Sequence, residues 1–165
     1  MHTGARTMKW AGLVLVVALG CPIAMGEADP GDLAIIVSKE ANVSELSFPE
    51  LVKVFKQEKQ YLEGGGRIYL VMRESGAKEK AIILKKVYKM NEDELKKFWL
   101  GKVYRGEIPA FPKTLGSNEA VKRFVSKVPN AVGFVDASFV DDSVKVLRID
   151  GRGPGESGYP LSDRL

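Results

Sequence analysis

The sequence predicts an α/β domain built on a mainly parallel sheet flanked by helices. Apolar runs of strand length alternate along the chain with segments of helical periodicity. The run Leu33-Ala34-Ile35-Ile36-Val37 has no polar face, as expected of a strand covered on both sides. Helix-capping residues also sit where each helical pattern begins.

The elements follow in order. Glu27 to Asp32 is a polar leader into that first strand. Ser47-Phe48-Pro49-Glu50 has the form of a capping box with proline near the first helical position. Leu51, Val54 and Phe55 continue at helical spacing and predict a helix over 48–56. Glu63-Gly64-Gly65-Gly66 breaks the chain before a strand over 67–72. A helix over 77–89 has two apolar stripes, Ile83/Val87 and Leu84/Tyr88, opposed by Lys78, Lys85 and Lys89. Asn91 can cap the next helix, in which Leu95, Phe98 and Trp99 share a face. Gly101 to Gly116, with Pro109 and Pro112, reads as a long irregular connection. Ser117 caps a helix carrying Val121, Phe124, Val125 and Val128, and Pro129 ends it. Two strands are predicted over 131–135 and 144–149. The expected organisation is therefore one domain over 31–150, followed by a flexible tail over 151–165 that is rich in Gly and Pro.

Residues 1–26 have the pattern of a signal peptide. Arg6 and Lys9 precede a short apolar stretch from Ala11 to Leu19, and Ala24 and Gly26 have the small-residue spacing of a cleavage site. The apolar stretch is short for a membrane span. A second route of export is a lipoprotein, because Ala18-Leu19-Gly20-Cys21 resembles a lipidation box that would anchor the chain through Cys21. The expected location is periplasmic or secreted, or anchored to the membrane in the second case.

Composition then narrows the chemistry. The one histidine, His2, and the one cysteine, Cys21, both precede residue 26. A chain cleaved there has no imidazole and no thiol. No Ser–His or Cys–His catalytic machinery, zinc site or disulfide framework is therefore expected. The carboxylates show no convincing pairing either, so no catalytic residues, metal or cofactor are assigned. The chain carries a formal charge of +4. Its charge is uneven: residues 27–52 hold six acids and one base, and residues 53–105 hold fourteen bases and seven acids. A basic middle can attract anions, although a solvated lysine-rich helical face gives the same pattern. Nucleic acid is not an expected partner, because no basic, aromatic-studded sheet face is visible.

In parallel sheets, ligands collect at the carboxyl ends of strands where helices begin. Two such junctions stand out: Arg73-Glu74-Ser75-Gly76-Ala77, and the loop before Ser117-Asn118. At the first, free backbone N–H groups, a serine hydroxyl and an arginine could hold an anion. The plain alternatives are an ion pair of Arg73 with Glu74 or another nearby acid, and ordinary helix capping by Ser75 and Ser117.

The motifs also occur in a familiar order. Leu33–Val37, then Leu46-Ser47-Phe48-Pro49-Glu50-Leu51 and Val54-Phe55, are followed by Arg73, Ser75-Gly76, Trp99 and Gly106. Val128-Pro129-Asn130-Ala131-Val132-Gly133-Phe134-Val135 closes the series. This order resembles the second lobe of phosphate ABC transporter substrate-binding proteins, across roughly residues 33–150. The resemblance implies a single short lobe of the type 2 periplasmic binding protein fold. It places Arg73, Ser75, Gly76 and Ala77 in the oxyanion cage. Ala77 stands where the family has a threonine hydroxyl, the spacing between Arg73 and Ser75 is shorter, and Gln57 and Leu62 replace an expected glycine and tryptophan. Nothing before Leu33 could encode the facing lobe. The resemblance thus implies a non-enzymatic, exported solute-binding-like protein that binds phosphate or a related oxyanion weakly, with an ABC permease or another periplasmic protein as possible partner. The alternative is an interaction module that keeps the lobe but binds no small ligand.

Overall fold

The computed structural model describes residues 31–64 and 66–163; the expected signal peptide and Cys21 lie outside these residues. The first strand, β1 (Leu33–Ser38), is buried along its whole length. A two-residue strand β2 (Glu45–Leu46) leads into helix α1 (Phe48–Phe55). Ser47 and Glu50 there complete the anticipated capping box, each side chain accepting the other's backbone N–H. These bonds to Ser47 hold the Glu50 carboxyl down at about 2, with help from Lys59. Strand β3 (Tyr69–Arg73) ends where helix α2 (Lys78–Ile83) is about to begin. That helix widens into a π-helical turn over Leu84–Tyr88, closed by Lys89 in the left-handed region at φ 54°.

Asn91 forms a second capping box with Glu94 and starts α3 (Glu92–Tyr104). This helix runs past Gly101, so the expected irregular connection begins later. It also contains a short strand, β4 (Lys113–Leu115). Ser117 caps α4 (Asn118–Lys127) by accepting the Ala120 N–H at 3.1 Å. Strand β5 (Ala131–Asp136) and a 3₁₀ turn (Ala137–Phe139) follow. The strand expected over 144–149 is split into β6 (Val144–Val146) and β7 (Arg148–Ile149), the latter paired with β2.

The main sheet has the order β4-β3-β5-β1-β6. β3 is parallel to β4 and β5, whereas β1 is antiparallel to both β5 and β6. Four of the five strands therefore point the same way, and β1 alone opposes them. Alternation along β1 sends Leu33, Ile35 and Val37 into the core under α1–α3, and Ala34 and Ile36 into a smaller core under α4. The result is a mainly parallel sheet with helices on both faces.

The flexible tail expected over 151–165 is corrected by residues 151–163, which strap back onto the domain. Leu161 is fully buried, and its carbonyl accepts the Leu33 N–H at 3.2 Å. The Tyr159 hydroxyl donates to the Leu33 carbonyl at 2.7 Å, and Asp32 accepts the Gly155 N–H at 2.7 Å. The glycines make tight turns between apolar anchors; their abundance concealed those anchors.

Candidate functional site

The carboxyl ends of β3, β4 and β5 form one edge of the sheet, where Arg73, Leu115 and Asp136 are the last strand residues. Leu70 and Met72 of β3 lie in the large core and Val71 in the small one, so alternation places Arg73 on the α4 side. Arg73 is only 8% exposed. Its Nη2 lies 3.5 Å from Oε2 of Glu79, itself buried. Glu79 Oε1 accepts a 2.6 Å hydrogen bond from the Asn118 amide, and Asn118 Oδ1 in turn accepts the Asp136 N–H at 3.4 Å. The two junctions singled out from sequence thus meet through Glu79 and Asn118. Of the open possibilities for Arg73, the structure shows an ion pair with a nearby acid, and that acid is Glu79 rather than Glu74.

The pair does not exhaust the guanidinium. Nε and Nη1 of Arg73 are buried and have no hydrogen-bond partner among the described residues. A buried donor without a partner costs about 1–3 kcal/mol, so native proteins rarely leave one idle. An acceptor able to take both N–H groups would remove that cost, provided a neighbouring side chain moved to admit it.

Ser75 points its chemistry elsewhere. Its hydroxyl donates to Glu92 Oε2 at 3.1 Å and accepts from Lys80 Nζ at 3.2 Å. Lys80 and Glu92 are themselves paired at 2.7 Å. Ser75 is not the helix cap: Ala77 occupies the N-cap position, and no side chain bonds the first N–H groups of α2 there. Gly76 takes φ +84°, with open space where a Cβ would stand. A residue with a side chain would be strained there by backbone conformation alone. Arg73, Ser75, Gly76 and Ala77 thus share one turn, but the arginine and serine side chains engage different carboxylates.

Charges at this edge balance. Arg73 pairs with Glu79, Lys80 with Glu92 at the adjoining start of α3, and Lys78 with Asp163 of the C-terminal strap at 3.7 Å. Glu79, Glu92 and Lys80 were not anticipated, because only the fold brings them to the turn. Asn118 was half visible, as the residue after a flagged cap. Among the described residues no group of three His, Cys, Asp or Glu could hold a metal ion. No helix among them is long and apolar enough to cross a membrane.

No family model matches the sequence. Solved structures do match the fold. A protein from Clostridium perfringens, described as a phosphate ABC transporter substrate-binding protein and crystallised with bound phosphate, is 22% identical with a TM-score of 0.60. The match covers 74% of this chain and 46% of that one. An ABC-type phosphate transport receptor from Vibrio cholerae is 23% identical with a TM-score of 0.60, over 74% and 48% of the two chains. PstS from Borrelia burgdorferi is 17% identical with a TM-score of 0.62, over 79% and 53%. The chain therefore spans about half the length of the solved structures it matches. It has the fold of one lobe of these phosphate-transport binding proteins, in agreement with the mainly parallel α/β domain expected from its sequence.

Proposed function

We propose that the protein is an exported, non-enzymatic solute-binding-like lobe that takes phosphate or a related oxyanion at the Arg73–Ala77 turn, in a transport or sensing role. The observation that carries this reading is the buried Arg73 guanidinium, with Nε and Nη1 unclaimed beside the start of α2. The oxyanion would accept from those two donors and from the backbone N–H groups of Ser75 and Gly76; the Ala77 N–H already donates to the Glu74 carbonyl at 3.3 Å. Two of the solved neighbours bear names tied to phosphate transport, and one of these was crystallised with phosphate, which favours this anion class.

Binding would be weak. Glu79 already holds one edge of the arginine, Ala77 offers no hydroxyl, and the described residues form a single lobe that leaves the turn open to water. A Kd near ~1 mM, equivalent to about 4 kcal/mol, is the expected scale. An ABC permease or another periplasmic protein would then be the partner that completes or reads the site. Titrating the labelled protein with phosphate and sulfate should shift the amides of Ser75, Gly76 and Ala77, and Arg73→Met should abolish the shift. Amides unmoved at saturating phosphate would sink the oxyanion reading. They would leave the interaction-module alternative, which the balanced charge of the turn favours.

A further inference from the structure

A groove of about 450 Å³ lies at the other end of β3 from the Arg73 turn, where β4 starts opposite Val71 and leaves Tyr69 and Leu70 of β3 uncovered on that side. Ile68, Leu70, Ile108, Phe111 and Phe124 supply its apolar walls. Two of its lining aromatic rings are widely exposed: Tyr69 is 56% exposed and Phe111 53%. Scattered exposed aromatics are ordinary, but two in one apolar groove form the kind of patch that marks a contact surface.

Two further features say what would fill it. Arg67 and Lys113 line the groove, and among the described residues neither has a carboxylate within ion-pair distance and no acid lines it. The Arg67 side chain donates to the Gln60 amide oxygen at 3.4 Å, and the Lys113 ammonium lies 5.3 Å from the Phe124 ring centroid. Gln57, only 8% exposed, also lines the groove. Its Nε2 donates to the Val54 carbonyl at 3.3 Å, and its carboxamide oxygen accepts no hydrogen bond among the described residues. The groove therefore asks for apolar side chains, carboxylates and an N–H donor together. An extended polypeptide beside the uncovered edge of β3 carries all three.

We propose that this groove docks an extended acidic–apolar segment of a partner protein, at a surface separate from the Arg73 turn. Arg67 and Lys113 select its carboxylates, Phe111 and Tyr69 clasp its apolar side chains, and Gln57 accepts one of its backbone N–H groups.

The test uses short, terminally blocked peptides alternating glutamate with leucine, valine or phenylalanine, and the same peptides with lysine in place of glutamate. The glutamate pool should shift the amides of Ile68, Tyr69 and Ala110 and bind roughly tenfold more tightly than the lysine pool, the scale of two partly exposed charge pairs. The double variant R67E/K113E should reverse that preference while melting like the parent. Tyr69→Ser with Phe111→Ser should remove binding of both pools. Equal binding of the two pools, a preference unchanged by charge reversal, or no shift with either pool overturns the proposal. So does concentration-dependent dimerisation that shifts the same amides, or capture by anionic vesicles that R67E/K113E abolishes without affecting peptide binding.

Discussion

Arg73 and Glu79 form a buried ion pair, 3.5 Å apart, that ties the end of β3 to the start of α2 and, through Asn118, to α4. Arg73 brings more donors than Glu79 can satisfy. Glu79→Gln keeps the shape but removes the charge facing the guanidinium. The variant should lose roughly 1–3 kcal/mol of stability, the cost of leaving that donor set buried and uncompensated. It should also recover more of its melting temperature in phosphate than the parent does, since a bound anion stabilises in proportion to its affinity. Thermal melts with and without phosphate check both parts; a variant that melts lower and ignores phosphate would assign the pair a purely structural role.

Gly133 sets how closely α4 lies on the sheet. A Cβ there would stand 2.8 Å from Val121 Cγ1 and 3.0 Å from Val125 Cγ2. Both valines are fully buried and cannot swing away. Gly133→Ala should cost about 1–3 kcal/mol through overpacking, measured by denaturant unfolding. Trimming Val121 to alanine in the same chain should recover part of the loss.

The C-terminal strap belongs to the folded unit. Leu161→Ala should destabilise by roughly 2–5 kcal/mol, as expected for an emptied core position. Tyr159→Phe should cost about 1 kcal/mol by removing the donor to the Leu33 carbonyl. Cleavage after residue 150 should yield a chain with a lower unfolding midpoint; an unchanged midpoint would mean that the strap contributes nothing.

Two tyrosines set an alkaline limit. Burial pushes the Tyr88 hydroxyl well above the usual tyrosine range, and burial with the nearby Asp32 charge does the same for Tyr159. A group with a raised folded value contributes fully below its unfolded value, and that contribution fades as pH rises beyond it. Stability should therefore hold up to pH ~10, where tyrosines of the unfolded chain ionise, and fall above it. Tyr88→Phe should reduce this loss while lowering stability at neutral pH, because the Phe55 carbonyl loses its 2.6 Å donor. Unfolding midpoints followed by circular dichroism across alkaline pH will show whether the slope is halved or unchanged.

Local chemistry was legible in the sequence wherever it sufficed. The unbroken apolar run of β1, the boxes at Ser47 and Asn91 and the cap at Ser117 each specify their element within a few residues. β2 and β4 were not readable, and β7 was read only as a continuation of β6, since two or three residues carry no periodicity and become strands only beside a neighbour. Gly101 suggested a helix end but lies within α3. At the candidate site, the Arg73–Ala77 turn was visible because β3, Gly76 and the next helix are contiguous. Glu79 and Asn118 are separated by 39 positions, so their hydrogen bond could not be read locally. That contact also decides how much of the arginine's charge is left over.

The lone reversed strand has a consequence for how the chain is made. β1 is the first of the described strands to be synthesised, yet both of its sheet neighbours, β5 and β6, come about a hundred residues later. Until they arrive, the five apolar residues Leu33 to Val37 have no ladder and no cover. A chain delivered from its amino end must therefore carry this apolar strand unpaired until residues 131–146 emerge. The finished domain hides β1 completely, so the hazard belongs to biogenesis, when a holding factor or rapid delivery of residues 131–146 would matter most.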